Sequence, residues 1–328
     1  MIALWIALGV ILVLGLALLI TTYVIYTIAF GAPENKRPDP YAQHVGPEYD
    51  PWRSRFDTWI HALDDRPHEA LTISSSRDGT RLFARYLHVR DGAPLVIQMH
   101  GYRSSSIRDF CGGAPFALDC LEHNVLLVDQ RAHGKSGGHT ISFGIVEQYD
   151  CLDWIRYAVD RFGADTPIVL YGVSMGAATV LTASGLPLPP SVWGIVADCP
   201  YSRPSDIIKK TCREMGLPPR LAFPFVRLAA RLYGGFFLSD KGPHPLEAVT
   251  RTSVPILLIH GEADDFVPCD MSRRIAAANP DRIRLETFPG GVHAGSYLID
   301  PDRYNTLLRT SMQAWGVPCQ NDCSEKET

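Results

Sequence analysis

The sequence predicts an α/β protein: a mostly parallel sheet with helices on both faces and a small helical insertion, preceded by one N-terminal transmembrane helix. Three observations carry that prediction. Short, nearly continuous apolar runs recur between residues 94 and 290, segments of helical spacing separate most of them, and Met1 to Pro33 hold no charged side chain. A strand covered on both faces never meets water, so it reads as an unbroken apolar run. Helical segments between such runs are the crossovers that parallel strands need.

The first element is "IALWIALGVILVLGLALLITTYVIYTIAF" (2–30), longer than the ~20 apolar residues that cross a bilayer as a helix. A cleaved signal peptide has a basic n-region, a shorter apolar core and an A-x-A-like site. No Lys or Arg precedes this run, so residues 1–30 are expected to stay as a transmembrane anchor. Trp5 near one end and Tyr23 and Tyr26 near the other suit interfacial belts. Lys36, Arg37, Arg53 and Arg55 follow the run, and by the positive-inside rule they favour a cytoplasmic body on a single-pass membrane protein.

Residues 31–66 are proline-rich and charged, and read as a linker with one short amphipathic helix. The α/β domain is expected over 67–316. It starts with a hairpin, since "LTISSSRDGTRLFARYLH" (71–88) alternates on either side of Asp78-Gly79. The buried strands are "PLVIQMHG" (94–101), "NVLLVDQR" (124–131), "PIVLYGVS" (167–174), "VWGIVADCP" (192–200), "VPILLIHG" (254–261) and "RIRLETFPG" (282–290). Among the helices, "GIVEQYDCLDWIRYAVDRFG" (144–163) is the clearest, with Val146, Tyr149, Leu152, Trp154 and Ile155, then Ala158 and Val159, recurring at helical spacing. Residues 201–250 break the rhythm with helical rather than strand patterns, and are expected as an insertion over one end of the sheet. The tail, 317–328, is expected to be flexible.

Composition narrows the function. A chain of 328 residues with 46% hydrophobic content can bury a full core. A net charge of −4 without a long basic run argues against nucleic acid as partner. The eight cysteines show neither a CxxC pair nor zinc spacing, so no metal site is expected and most should be reduced, packed thiols, in keeping with a reducing compartment. Cys319 and Cys323, in the tail, are expected to be exposed. No dinucleotide fingerprint occurs, and "HGKSGG" lacks the first glycine of a P-loop, so no cofactor is expected.

The chemistry centres on Gly172-Val173-Ser174-Met175-Gly176. "IVLY" runs into it as a strand and "GAATVLTAS" leaves it as a helix, the setting of a nucleophile elbow. The glycines clear space where strand and helix crowd each other. Ser174 should be exposed at the turn, above a helix N-terminus whose free N–H groups favour an oxyanion. A serine needs a base, and the base needs a group to orient it. "HGEADDFVP" (260–268) follows a later strand and offers Asp264, with Asp265, a possible cap for the helix near Cys269, and Asp198, after the preceding strand, as rivals. "FPGGVHAGSY" (288–297) places His293 in a glycine-rich loop after the last strand as the base. The oxyanion hole should use the backbone N–H groups of Met175 and of Tyr102, in the loop "QMHGYRSSS". His100, Asp129, Arg131 and His133 read as hydrogen-bonded braces rather than catalysts.

These motifs together resemble the α/β-hydrolases, close to the bacterial membrane-anchored serine hydrolases of the serine-aminopeptidase-like esterase and lipase branch. "HGYRSSS", "DQRAHGKSGG", "YGVSMGAA", "ADCPY", "HGEADDFVP" and "GGVHAGSY" stand in that family's order over about residues 70–315. The resemblance implies the α/β-hydrolase fold, a catalytic triad of Ser174, Asp264 and His293, no cofactor, and a cap at 201–250 that shapes the acyl pocket. The expected activity is that of a serine hydrolase on a carboxylic ester or thioester with an apolar, lipid-like acyl group. A peptidase of the same fold and a non-catalytic tethered binding module are the alternatives. Within the insertion, a helix is expected from Pro224, with Phe225, Leu228 and Leu232 on one face and Arg227 and Arg231 on another. The apolar face would line the pocket or rest on the bilayer.

Overall fold

The computed structural model describes residues 1–42 and 46–320. The hairpin strands β1 (Glu69–Ser74) and β2 (Arg81–Leu87) lead into β3 (Leu95–Met99), β4 (Asn124–Asp129), β5 (Ile168–Val173), β6 (Val192–Asp198), β7 (Ile256–Gly261) and β8 (Ile283–Phe288). They form one eight-stranded sheet in the order β1-β2-β4-β3-β5-β6-β7-β8. β2 pairs antiparallel with β1 and with β4, and every pair from β4 to β8 is parallel.

The helices are α1 (Ile2–Ala29), α2 (Arg53–Asp64), the short α3 (Ser106–Phe110) and α4 (Gly113–Pro115), α5 (Glu147–Phe162), α6 (Met175–Ala183), α7 (Pro204–Glu214), α8 (Pro219–Leu232), α9 (Pro245–Ala248), α10 (Asp270–Ala278), α11 (Ser296–Ile299) and α12 (Pro301–Ala314). Alternation along the strands divides the core in two. Leu95, Ile97 and Met99 of β3 pack with Trp154 of α5, Val180 of α6 and Ile275 of α10. Val96 points the other way, into the cluster of Ile60 of α2, Phe110 of α3 and Leu308 of α12. Such a centre, dry on both faces, is what the continuous apolar runs require.

A third cluster forms at the end of the sheet where β5 gives way to α6. Phe30, just after α1, meets Met175 of α6, Tyr201, Ile207 of α7, Val226 of α8 and Phe236. The 31–66 segment also lies against the body: Phe56, Ile60 and Leu63 of α2 are buried, as is Tyr49 before it.

Three expectations need correction. α8 begins at Pro219, not Pro224. Pro219 sets φ at the first helical position, while Pro224 lies inside the helix and costs it one backbone bond. The face turned to the core is Phe223, Val226, Ala229 and Ala230; Phe225 and Leu232 are exposed and Leu228 is half-buried. Cys319 is half-buried, and burial pushes its thiol upward, so it is not the exposed thiol expected. The chain around it is packed, with Val317 buried and His123 Nε2 bonded to the Pro318 carbonyl oxygen. Cys323 and the rest of 321–328 lie outside the described residues.

Candidate active site

β5 carries the chain to Ser174 and α6 carries it away, with Ser174 at φ 54°, ψ −115°. Only a tightly held turn keeps a non-glycine residue there. Both flanking glycines are required by close approach. A Cβ on Gly172 would fall 2.3 Å from the Gly176 carbonyl carbon, and one on Gly176 would fall 1.8 Å from the Met99 carbonyl oxygen. One departure from expectation is that Ser174 is buried rather than exposed. The insertion and the end of α1 cover it, and it opens instead into a cavity.

The Ser174 hydroxyl donates to His293 Nε2 at 2.9 Å, and His293 Nδ1–H donates to Asp264 Oδ2 at 2.7 Å. Of the three aspartates left open by the sequence, Asp264 is the one bonded to His293. Asp265 is exposed and makes no side-chain cap for α10. Asp198 accepts instead from the Tyr304 hydroxyl at 2.9 Å. Their electrostatics differ accordingly. Burial opposes charge on Asp264, but hydrogen bonds from His260 and His293 outweigh it and hold the carboxyl at about 2. Burial dominates at Asp198 and raises it to about 6.

Several contacts around this chain were not singled out from sequence. His260, fully buried at the end of β7, lies 3.3 Å from Asp264 Oδ2 and bonds the Val267 carbonyl oxygen and Ser272 Oγ. The Val267 N–H donates to Asp264 Oδ1 at 2.7 Å, closing the loop that carries the acid. Tyr49 donates to the His293 carbonyl oxygen at 2.6 Å, and Phe266 meets the His293 ring edge-on at 4.9 Å. Only the "HG" before the acid's loop was a local signal for any of these.

The loop after β3 comes close to Ser174, since a Cβ on Gly101 would lie 3.4 Å from the Ser174 Cβ. Its Gly101 N–H donates to Asp109 and its Arg103 N–H to His133 Nε2. Between them the Tyr102 N–H has no acceptor among the described residues, and neither does the Met175 N–H. Two unpaired donors beside a serine can receive a developing oxyanion. The braces are extensive. His100 accepts from the Gln130 N–H and bonds Gly101, while Arg131 grips Asp150 and Asp78. Asp129 accepts from Ser106 and from the Lys135 N–H.

The same loop is fastened to α1. Tyr102 Oη donates to the Ala29 carbonyl oxygen at 2.9 Å, and Arg103 caps the helix end through the Ile28 and Gly31 carbonyls. Beyond Ser174 lies a cavity of about 320 Å³ with walls from Ile25, Ile28 and Ala29 of α1, Ile208 of α7 and Val226 of α8. Apart from Ser174, Thr211 and two tyrosines its lining is apolar. One of those, Tyr201, has a hydroxyl that finds no partner among the described residues.

Among the described residues the ligand atoms of Cys199, Asp264 and His293 lie within 4.8 Å of one another. Burial raises the Cys199 thiol well above its usual range. The other two already hold each other.

Comparison with known proteins gives the same architecture. A family described as "alpha/beta hydrolase fold" matches residues 94–218. An uncharacterised Bacillus subtilis protein, YqkD, is 30% identical over 190 residues, covering 58% of this chain and 62% of that one. Human protein ABHD12B is 27% identical over 217 residues, 62% of this chain and 56% of its own. The chain thus spans less than two thirds of the length of these curated relatives. Among solved structures, an esterase of Pyrococcus furiosus superposes with a TM-score of 0.62 at 21% identity, over 84% of this chain and 97% of that one.

Proposed function

From the premise that this chain has the α/β-hydrolase fold, we propose that it is a serine hydrolase cleaving a carboxylic ester or thioester with an apolar acyl group. One observation carries the reading: the hydrogen-bonded series Ser174–His293–Asp264 opens onto an apolar cavity. His293 Nε2 takes the hydroxyl proton as Ser174 Oγ attacks the acyl carbon. Asp264 keeps Nδ1 protonated and stabilises the imidazolium. The Tyr102 and Met175 N–H groups hold the oxyanion. Collapse expels the alcohol or thiol, which takes the proton from His293 and leaves an acyl group on Ser174. Water, deprotonated by His293, then releases the acid and restores the serine.

The esterase fold of the P. furiosus relative is in keeping with this chemistry. The membrane assignment draws on α1, which is long and apolar enough to cross a bilayer. Its last turns are built into the body, with Phe30 fully buried and Ile141 donating to the Phe30 carbonyl oxygen at 2.8 Å. Cleaving the helix away would strip a wall from the cavity, so we take it to be retained.

A series of p-nitrophenyl esters of increasing acyl length, given to the full-length protein in detergent micelles, tests the reading. Hydrolysis that Ser174→Ala abolishes is expected. Preferential cleavage of peptide substrates would favour a peptidase, and no turnover of either class would favour a binding module.

A further inference from the structure

We propose that the cavity at Ser174 is loaded from the bilayer itself, a lipid acyl chain passing sideways out of the leaflet at the C-terminal end of α1 and between α1 and the insertion. The proposal rests on the serine-hydrolase reading and names where its substrate comes from.

The cavity wall belongs partly to the membrane helix. Ile25, Ile28 and Ala29 of α1 line it opposite α7 and α8. At about 1.5 Å per residue, the 28 residues of α1 reach about 42 Å, against a hydrocarbon core of about 30 Å. If the apolar stretch from Ile2 onward fills that core, the last two turns emerge at headgroup depth. The tyrosines agree with this level. Tyr23 and Tyr26 of α1 gather with Tyr233 at the end of α8, and the Tyr233 hydroxyl donates to the Leu19 carbonyl oxygen at 2.9 Å. Such a belt marks the boundary between lipid and water.

The rim of the cavity is greasy where a water-facing rim would be polar. Ile28, Met215 and Leu217 line the cavity and are at the same time exposed. Next to them α8 turns outward a second apolar face, Leu221, Phe225 and Leu232, whose exposure runs from 41% at Phe225 to 69% at Leu221. Phe237 continues it. A body that met only water would not leave so many large apolar side chains together at one pocket mouth. Bilayer is the occupant that fits, because this face stands beside α1, whose own side chains from Ile2 to Ile20 are exposed and apolar almost throughout. Arg227 and Arg231 border the apolar face on the side of α8 away from the core, and Arg231 lies over the Phe237 ring at 4.1 Å. Long cations in that place can reach lipid phosphates while their stems cover apolar surface.

The geometry has a mechanical consequence. Ile28 and Ser174 line the same cavity, so a chain seated there lays its apolar length against α1, α7 and α8 with its ester group at Ser174. At about 320 Å³ the cavity is at the small end of ligand pockets and suits a single extended chain rather than a folded protein segment.

The test uses the full-length protein reconstituted in phosphatidylcholine vesicles. In a Trp5→Phe background, Phe225→Trp should add fluorescence that vesicles with brominated acyl chains quench. If the emission added by that substitution is indifferent to the bromines, this face lies in water or against a second copy, and the proposal is overturned. In the activity arm, Leu221→Glu with Phe225→Glu should lower turnover of a long-chain ester dissolved in the vesicles at least tenfold. Hydrolysis of water-soluble p-nitrophenyl butyrate should stay within about twofold. Equal loss on both substrates, or loss on neither, overturns lipid loading. Ser174→Ala must lose both activities; if it keeps them, the serine-hydrolase reading fails, while the quenching result still decides where the face lies.

Discussion

The Tyr102 hydroxyl donates to the Ala29 carbonyl oxygen at 2.9 Å, so the loop beside Ser174 is held by the last turn of the N-terminal helix. On the proposed function, breaking that tie should slow catalysis. A hydrogen bond of this kind contributes about 1 kcal/mol. Tyr102→Phe should therefore lower kcat/KM for a short soluble ester by roughly twofold to tenfold. Steady-state kinetics of the detergent-solubilised variant check it, and a wild-type rate would mean the tie does not position the loop. Removing residues 1–35 should cost more, because the cavity wall at Ile25, Ile28 and Ala29 goes as well.

The three aspartates should separate clearly. Asp264→Asn is expected to lower kcat about 10⁴-fold by favouring the wrong imidazole tautomer. Asp265→Asn, at an exposed position, should leave kcat near wild type. Asp198→Asn should act modestly, through the Tyr304 bond rather than through His293. Parallel kcat measurements rank them, and a dominant loss at Asp198 or Asp265 would move the acid.

The elbow predicts a packing failure rather than a kinetic one. Gly176→Ala drives a methyl into the Met99 carbonyl oxygen, and backbone has nowhere to retreat. A loss above about 4 kcal/mol, seen as failed expression or a collapsed melting temperature, is expected.

Acid should destabilise the fold. Burial holds His100 and His133 below the usual histidine range and His123 at about 4. When unfolded, each returns to about 6.5 and takes up a proton that the folded protein refuses. The stability these groups contribute is complete above that value and is lost as pH falls toward their folded pKa values. Asp198 works the other way, since its raised pKa lets the folded state bind a proton between about 6 and 3.8. Burial also lowers His244 and raises Asp150, so four histidines stand against two carboxyls, and stability should fall between pH 7 and pH 5, at about 1.4 kcal/mol per pH unit for each net proton. Urea unfolding at the two pH values measures it, and equal midpoints would contradict it.

The strands and the elbow were legible because their physics is local. β3 to β7 are dry on both faces, so their sequences are continuous apolar runs, and the clash at Gly176 follows from the turn itself. What was hidden depends on distant partners. Nothing in "TYVIYTIAF" says that Ile28 will wall a pocket, or in "PEYDPW" that Tyr49 will bond the His293 loop. α8 misled for a different reason. It carries two apolar faces, and the period fixes which residues share a face but not which face meets the core.

Fluorophosphonate labelling of the full-length protein tests whether Ser174 is an activated nucleophile. One phosphonylated peptide is expected, the one containing Ser174, with labelling lost in Ser174→Ala and His293→Ala. Labelling of another residue, or none in a folded wild-type protein, would contradict it.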